Sequence, residues 1–195
     1  MSASGGGRVV LRGGSIVDAA GVRPGDVAVA GARISAVGRV PAEPGDRVID
    51  ATGRLVLPGF VDAHSHADGL LGDPEVQHAL LRQGVTTIIA GQDGVSYPPG
   101  SGEFGNEYFA AINGRYAGYR GGGIAGYLAG IEATSPINAA CLVPAGTVRH
   151  EICGRAPDPA TPAQTAAMVR LVEQGLSEGA VGLSTGLDYA PGIFQ

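Results

Sequence analysis

The stretch LPGFVDAHSHAD, residues 57–68, places His64 and His66 one residue apart at the end of an apolar run, with Asp62 just before them. Neutral imidazoles bind Zn²⁺ well, at roughly 2.0–2.1 Å. If the run is a strand, residues i and i+2 project to one face, so the two rings and Asp62 point together. That supplies two metal ligands from backbone already fixed. Asp62, one residue pair deeper, is placed to hold the local turn or to orient a ligand from behind. The competing reading is a pair of histidines that merely solvates a strand end. A second candidate ligand lies in TIIAGQDGVS, where Asp93 follows another apolar run. A carboxylate there would complete or bridge a metal site, although Gly91 and Gly94 also suit a plain Asp turn.

These side chains need strands that end side by side. From Phe60 onward the pattern is β-α-β-(α)-β-α-β. Asp73 and Pro74 form an N-cap and first-turn pair that opens a helix to about Gln83, with Val76, Ala79 and Leu80 on one face and Gly84 as the stop. Val85–Ala90 is a β-branched strand, expected to be covered on both faces. Helical pieces fall near Glu103–Asn113 and Ile124–Glu132. Asn138–Val143 is a third strand. Thr161 and Gln164 have the residues of a capping box, opening a helix that puts Met168, Leu171, Val172 and Leu176 on one face and ends near Gly179. Val181–Ser184 is a fourth strand. Such alternation predicts a parallel sheet. Its third end, VPAGTVRHE, reads as a loop offering Thr147, Arg149 and His150. Its fourth, STGLDYAPG, offers Ser184, Thr185, Asp188 and Tyr189, with Tyr189 the candidate substrate contact. His78 falls off the apolar face of its helix, Cys141 reads as a core residue, and Cys153 as a loop thiol.

Before Pro58 the style differs. Residues 1–7 read as a flexible tail. Short β-type runs follow over residues 8–57, split at Gly13-Gly14, Pro24-Gly25, Ala30-Gly31 and Pro44-Gly45, and predict a small antiparallel sheet with a hairpin across Gly31. The domain reading is therefore a tail at 1–7, a β-rich segment at 8–57 and a parallel α/β region at 58–195. A closed (β/α)₈ barrel takes roughly 250 residues, far more than lie between Phe60 and Gln195. The expectation is a piece of a longer product, with an open sheet edge.

Composition narrows the classes of function. Hydrophobic residues are 44% of the chain, enough for a buried core, and the formal net charge of −5 comes with no basic patch. Nucleic acid is thus not expected as a partner. The N-terminus has no signal-peptide pattern and no run reaches the ~18 apolar residues of a membrane span. Two cysteines make no disulfide framework. A cytoplasmic protein is expected, and its oligomeric state is not legible.

Together, GARISAVG, VIDATGRLVLPGFVDAHSHAD, GVTTIIAGQDGVS and EGAVGLSTGLDYAPG resemble the amidohydrolase superfamily, and within it the N-acyl-D-amino-acid deacylase branch. The resemblance implies an α/β fold: the N-terminal part of a TIM-type (β/α)₈ barrel, about four strands of it, preceded by a small β-sandwich segment. It implies His64 and His66 as metal ligands for one or two Zn²⁺ ions. At Asp93 the branch commonly has a cysteine ligand, and a carboxylate is the harder donor. Where this chain reads VPAGTVR the branch often reads VGHGTVR. The implied activity is zinc-dependent hydrolysis of the amide of a small N-acyl-D-amino acid, by water acidified at the metal. No catalytic acid or base is expected within this chain; that aspartate, and two further histidines, are expected beyond Gln195. The fragment alone is expected to be inactive. Alternatives are a cyclic amide hydrolase of dihydroorotase or hydantoinase type, which usually carries a bridging lysine that GLSTGL lacks, and a non-catalytic truncated homologue.

Overall fold

A computed structural model describes residues 7–188. The chain divides into two compact units, Met1–Pro58 and Gly59–Gln195.

The first unit is one five-stranded sheet built from β1 (Val9–Asp18), β2 (Gly21–Ala30), β3 (Arg33–Gly38), β4 (Arg47–Asp50) and β5 (Leu55–Val56). β1–β2 and β2–β3 are antiparallel, but β4 and β5 both pair parallel to β1, so the sheet is mixed rather than antiparallel. No second sheet layer accompanies it among the described residues of this unit. Two expected turns are absorbed into strands. At Gly13, φ +74 sits in a bulge between Leu11 and Gly14, not a chain reversal. Pro24 lies within β2 opposite Ser15 because β3 reaches only as far as Asp26. Beyond that point β2 is an edge, where a missing N–H costs no ladder bond. Val10, Ala28 and Val40 form the buried core.

The second unit contains β6 (Phe60–Asp62), α1 (Pro74–Arg82), β7 (Val85–Ala90), α2 (Glu103–Tyr108), α3 (Ala110–Asn113), α4 (Gly123–Glu132), β8 (Asn138–Cys141), β9 (Val143–Pro144), α5 (Ala145–Cys153), α6 (Pro162–Ser177) and β10 (Leu183–Ser184). All its strand pairs are parallel: β6–β7, β7–β8 and β9–β10. β8 and β9 are one path interrupted at Leu142, whose N–H still reaches Ala90 O at 3.0 Å. The working order is therefore β6, β7, β8/β9, β10, with helices in each crossover, as an α/β region requires. No ladder joins β10 to β6 among the described residues, and Phe60, Val61, Val181 and Leu183 on or beside these flanking strands are each more than half exposed.

Local signals explain the helix starts. Asp73 Oδ1 accepts the Glu75 N–H at 2.8 Å with Pro74 in the first turn. Thr161 and Gln164 form a reciprocal capping box on α6. The core gathers Leu71, Ile88, Tyr97, Ile124 and Tyr127, all 0% exposed. Met168, Leu171 and Val172 pack against it from α6, whereas Leu176 is 45% exposed. Ala79 is exposed too, so the α1 face is narrower than its spacing predicts. β7 buries Ile88 and Ala90 completely and leaves Val85, Thr86, Thr87 and Ile89 half-covered, a one-sided strand rather than a fully enclosed one. The described helices contain no segment long and apolar enough to cross a membrane.

Candidate metal centre

β6 ends at Asp62, so the histidines lie on the irregular segment that follows it and not within a strand. The i, i+2 argument fails in its form, yet the rings converge, with centroids 5.3 Å apart. Hydrogen bonds replace the ladder. Asp62 Oδ1 accepts the His64 N–H at 3.2 Å, the turn-holding role. The Gln92 side-chain amide donates to Ala63 O at 2.8 Å and Ile89 O at 2.9 Å, tying this segment to the end of β7.

The other side of the site is the tight turn Gln92–Gly94 after β7. Asp93 has φ 54 and ψ 26 and is the one non-glycine residue with positive φ among those described. That left-handed geometry costs an L-residue roughly 1–2 kcal/mol, and Asp tolerates it better than most. Gly91 and Gly94, on either side of Gln92-Asp93, have no room for a side chain. A Cβ on Gly91 would lie 2.5 Å from Leu142 O, and one on Gly94 would lie 2.8 Å from Gly186 N. The turn delivers Asp93 Oδ2 to 3.3 Å from His64 Nε2 and 3.1 Å from His66 Nε2.

All three ligand atoms lie within 4.8 Å of one another. A tetrahedral ion with bonds of ~2.0–2.1 Å has ligand–ligand edges of about 3.3 Å, which the two N···O separations match. The donor chemistry agrees. Asn113, 1% exposed, donates its amide N–H to Val95 O at 3.4 Å and so turns Oδ1 toward His66 Nδ1, 3.0 Å away. With that proton on Nδ1, Nε2 presents a lone pair to a carboxylate oxygen. Two acceptors at that distance attract only through a cation or a proton. The residues fit a divalent metal, with His64, His66 and Asp93 as its holders.

A profile of the Amidohydrolase family matches residues 47–195. The chain belongs to the amidohydrolase family. It is 35% identical over 189 residues to the N-acyl-D-glutamate deacylase of Alcaligenes xylosoxydans xylosoxydans, which covers 94% of this chain and 38% of that relative. It also superposes, with a TM-score of 0.80 and 34% identity over 94% of its length and 39% of the other chain, on a D-aminoacylase studied for its binuclear metal centre, with one-metal activation and second-metal attenuation. The same figures apply to the N-acyl-D-glutamate deacylase of Bordetella bronchiseptica, solved with zinc and a phosphonate mimic of the tetrahedral intermediate. This chain thus spans less than two fifths of the relatives it matches.

Around the three candidate ligands stand buried polar side chains that the residue pattern did not reveal. Asp68, 0% exposed, accepts the Gly91 N–H at 2.8 Å and the Ser96 hydroxyl at 2.7 Å, both on Oδ2. Burial pushes its carboxyl above the usual range, against the opposing pull of those two hydrogen bonds. Ser184, named only as a strand-end residue, is buried; its Oγ accepts the Gly94 N–H at 3.0 Å and donates to Gly91 O. The readable trace of Asp68 was its place two residues after His66 in HSHAD. Asn113 fell in the stretch with least periodicity and left no such trace.

The expected loop at the third strand end is instead helix α5, which starts directly from β9. Thr147 is buried on it, its hydroxyl accepting from Ser96 N and donating to Ser96 O, both at 3.1 Å. Arg149 is buried as well and donates from Nη2 to Ala156 O and Asp158 O. His150 stacks on Phe104 with centroids 4.0 Å apart. None of the three belongs to the ligand cluster. Thr185 and Asp188 are exposed, His78 is exposed on α1, Cys153 is half-buried at the end of α5, and Tyr189 lies outside the described residues. Cys141 is fully buried, desolvation raises its thiol pKa strongly, and it stands outside the ligand cluster.

Proposed function

We propose that this chain supplies the metal-holding part of a zinc-dependent hydrolase that cleaves N-acyl-D-amino acids to a carboxylate and a free D-amino acid. The observation that carries the reading is the convergence of His64 Nε2, His66 Nε2 and Asp93 Oδ2 within 4.8 Å. Its similarity to two D-amino-acid deacylases along 94% of its length supports the substrate class.

When bound, zinc polarises an acyl carbonyl and brings the pKa of water toward ~7. The residues of this chain do the rest of the local work. His64 and His66 present neutral lone pairs, and Asn113 keeps the His66 proton on Nδ1. Asp93 adds one negative charge, which balances half of a divalent ion and leaves the centre net positive toward a developing oxyanion. Its carboxylate favours harder ions than a cysteine would, so manganese and cobalt should be accepted beside zinc. The linear-amide reading is preferred over a cyclic amide because the fourth strand end, GLSTGL, carries no lysine to bridge two metal ions. Proton transfer to the leaving amine is assigned to a residue outside the described ones. Tyr189 remains the proposed substrate contact, in a cytoplasmic enzyme.

The test has two parts. Purified protein stripped with a chelator should take up zinc, and His64→Ala, His66→Ala and Asp93→Ala should each weaken that uptake. A polypeptide carrying this chain, complete with the proton-transfer residue, should release amino acid from N-acetyl-D-glutamate but not from its L-isomer or from hydantoin. Undiminished zinc uptake in all three variants would sink the site, and release from hydantoin alone would replace the substrate class.

A further inference from the structure

We propose that Asp68 is the positioning residue of this metal centre: one carboxylate oxygen holds both shoulders of the turn that carries Asp93. The inference rests on the metal reading above. Asp68 Oδ2 bonds the Gly91 N–H on one side of Asp93 and the Ser96 hydroxyl on the other. Asp68 is itself fixed from below, since its backbone oxygen accepts the hydroxyl of fully buried Tyr127 at 2.9 Å. Ser96 is fixed in turn by the two bonds to Thr147 on α5. A continuous set of hydrogen bonds therefore runs from the core helices through Asp68 to the turn.

The arrangement matters because Asp93 is held in a left-handed conformation it would otherwise leave. Asp68 is also only two residues from His66, so one residue sets the position of a histidine ligand and of the carboxylate it faces at 3.1 Å. As mere filler an acid would be a poor choice. Asp68 is 0% exposed and its Oδ1 has no hydrogen-bond partner, a cost that an apolar side chain of the same size would avoid. No ligand role falls to it, since the ligand cluster is His64, His66 and Asp93.

The experiment compares two variants with the same branched outline and the same number of side-chain heavy atoms. Asp68→Asn keeps an oxygen able to accept both donors, whereas Asp68→Leu fills the space and accepts neither. Apo protein is titrated with zinc against a competing chromophoric chelator, and folding is followed by circular dichroism and by melting in chelator. Outer-shell partners of metal ligands are worth about 10–100-fold in affinity. Asp68→Leu should lose that much, Asp68→Asn should stay within about threefold of wild type, and Ser96→Ala, which removes one of the two bonds, should fall between. A folded Asp68→Leu protein that binds zinc like wild type overturns the proposal, as does Asp68→Asn binding as weakly as Asp68→Leu. Should Asp68→Leu fail to fold, the other two variants decide: unchanged affinity in Ser96→Ala, or loss in Asp68→Asn as large as in His66→Ala, overturns it. Wild-type protein that takes up no zinc overturns the metal reading and this inference together; zinc uptake by wild type with Asp68→Leu unaffected removes the positioning role alone.

Discussion

Asp93 pays twice for its place, in backbone strain and in a carboxylate held against two imidazole nitrogens, and substitutions can separate the two costs. Asp93→Ala and Asp93→Gly both delete the ligand, so both should weaken zinc binding equally. They differ in the backbone. Ala at φ 54 retains the left-handed penalty of roughly 1–2 kcal/mol, while Gly escapes it. Gly gives back about 0.4–1 kcal/mol through the greater freedom of its unfolded chain. The Gly variant should therefore be the more stable by about 0.5–1 kcal/mol in metal-free urea melts. Equal stabilities would mean that the turn relaxes without cost and that nothing holds Asp93 in its strained form. At this scale the two histidines were legible because histidine is scarce, four in the whole chain, and their spacing regular, and Asp93 because it follows an apolar strand. Asp68, Asn113 and Ser184 were not, since a buried Asp, Asn or Ser that bonds a backbone group has the same letters as one in a solvated turn.

Among elements, those whose ends are encoded by neighbouring residues were readable and those held by distant contacts were not. α6 announces itself through the Thr161–Gln164 box, and removing it with Thr161→Ala should cost about 1 kcal/mol in a urea melt; no change would mean the capping geometry is idle. α5 has no side-chain cap at Pro144 and is anchored instead by Thr147 to Ser96, 51 residues earlier, a contact no local pattern contains. The parallel pairing of β4 to β1 was hidden for the same reason. Arg8 marks that pairing: it grips both Asp46 oxygens, at 3.0 and 2.9 Å, beside the first residues of the two strands. The Arg8 hydrogen bonds hold the Asp46 carboxyl below the usual range. A depressed folded pKa stabilises above the unfolded value of ~3.9 and loses that contribution as pH falls through the folded one. Asp46→Asn should thus melt below wild type at pH 7, with the gap closing as pH falls below the unfolded carboxyl value and through the lower folded one. A gap independent of pH would assign the loss to packing rather than charge.

The described residues carry three hydrophobic clusters, one around Val10, Ala28 and Val40 in the first unit and two in the second, around Tyr127 and Ile88 and around Val95 and Phe104, and every candidate ligand belongs to the second unit. Metal bound by these residues would be linked to the folding of the second unit. A ligand that binds only the folded form stabilises by about 2.7 kcal/mol at 100 times its dissociation constant. For exchange that requires opening of the site, this slows the opened population about 100-fold. Zinc should therefore protect the amides of β7 and of Gly91–Ser96 against hydrogen exchange, including Gly91 N–H on Asp68 and Gly94 N–H on Ser184. The amides of β1–β4 should exchange at nearly the same rate with zinc or with chelator. Protection confined to the second unit would locate the ion where the rings converge, whereas equal protection along Val9–Asp50 would require either a second zinc site or folding of the two units as one, and protection nowhere would remove the metal from the site altogether.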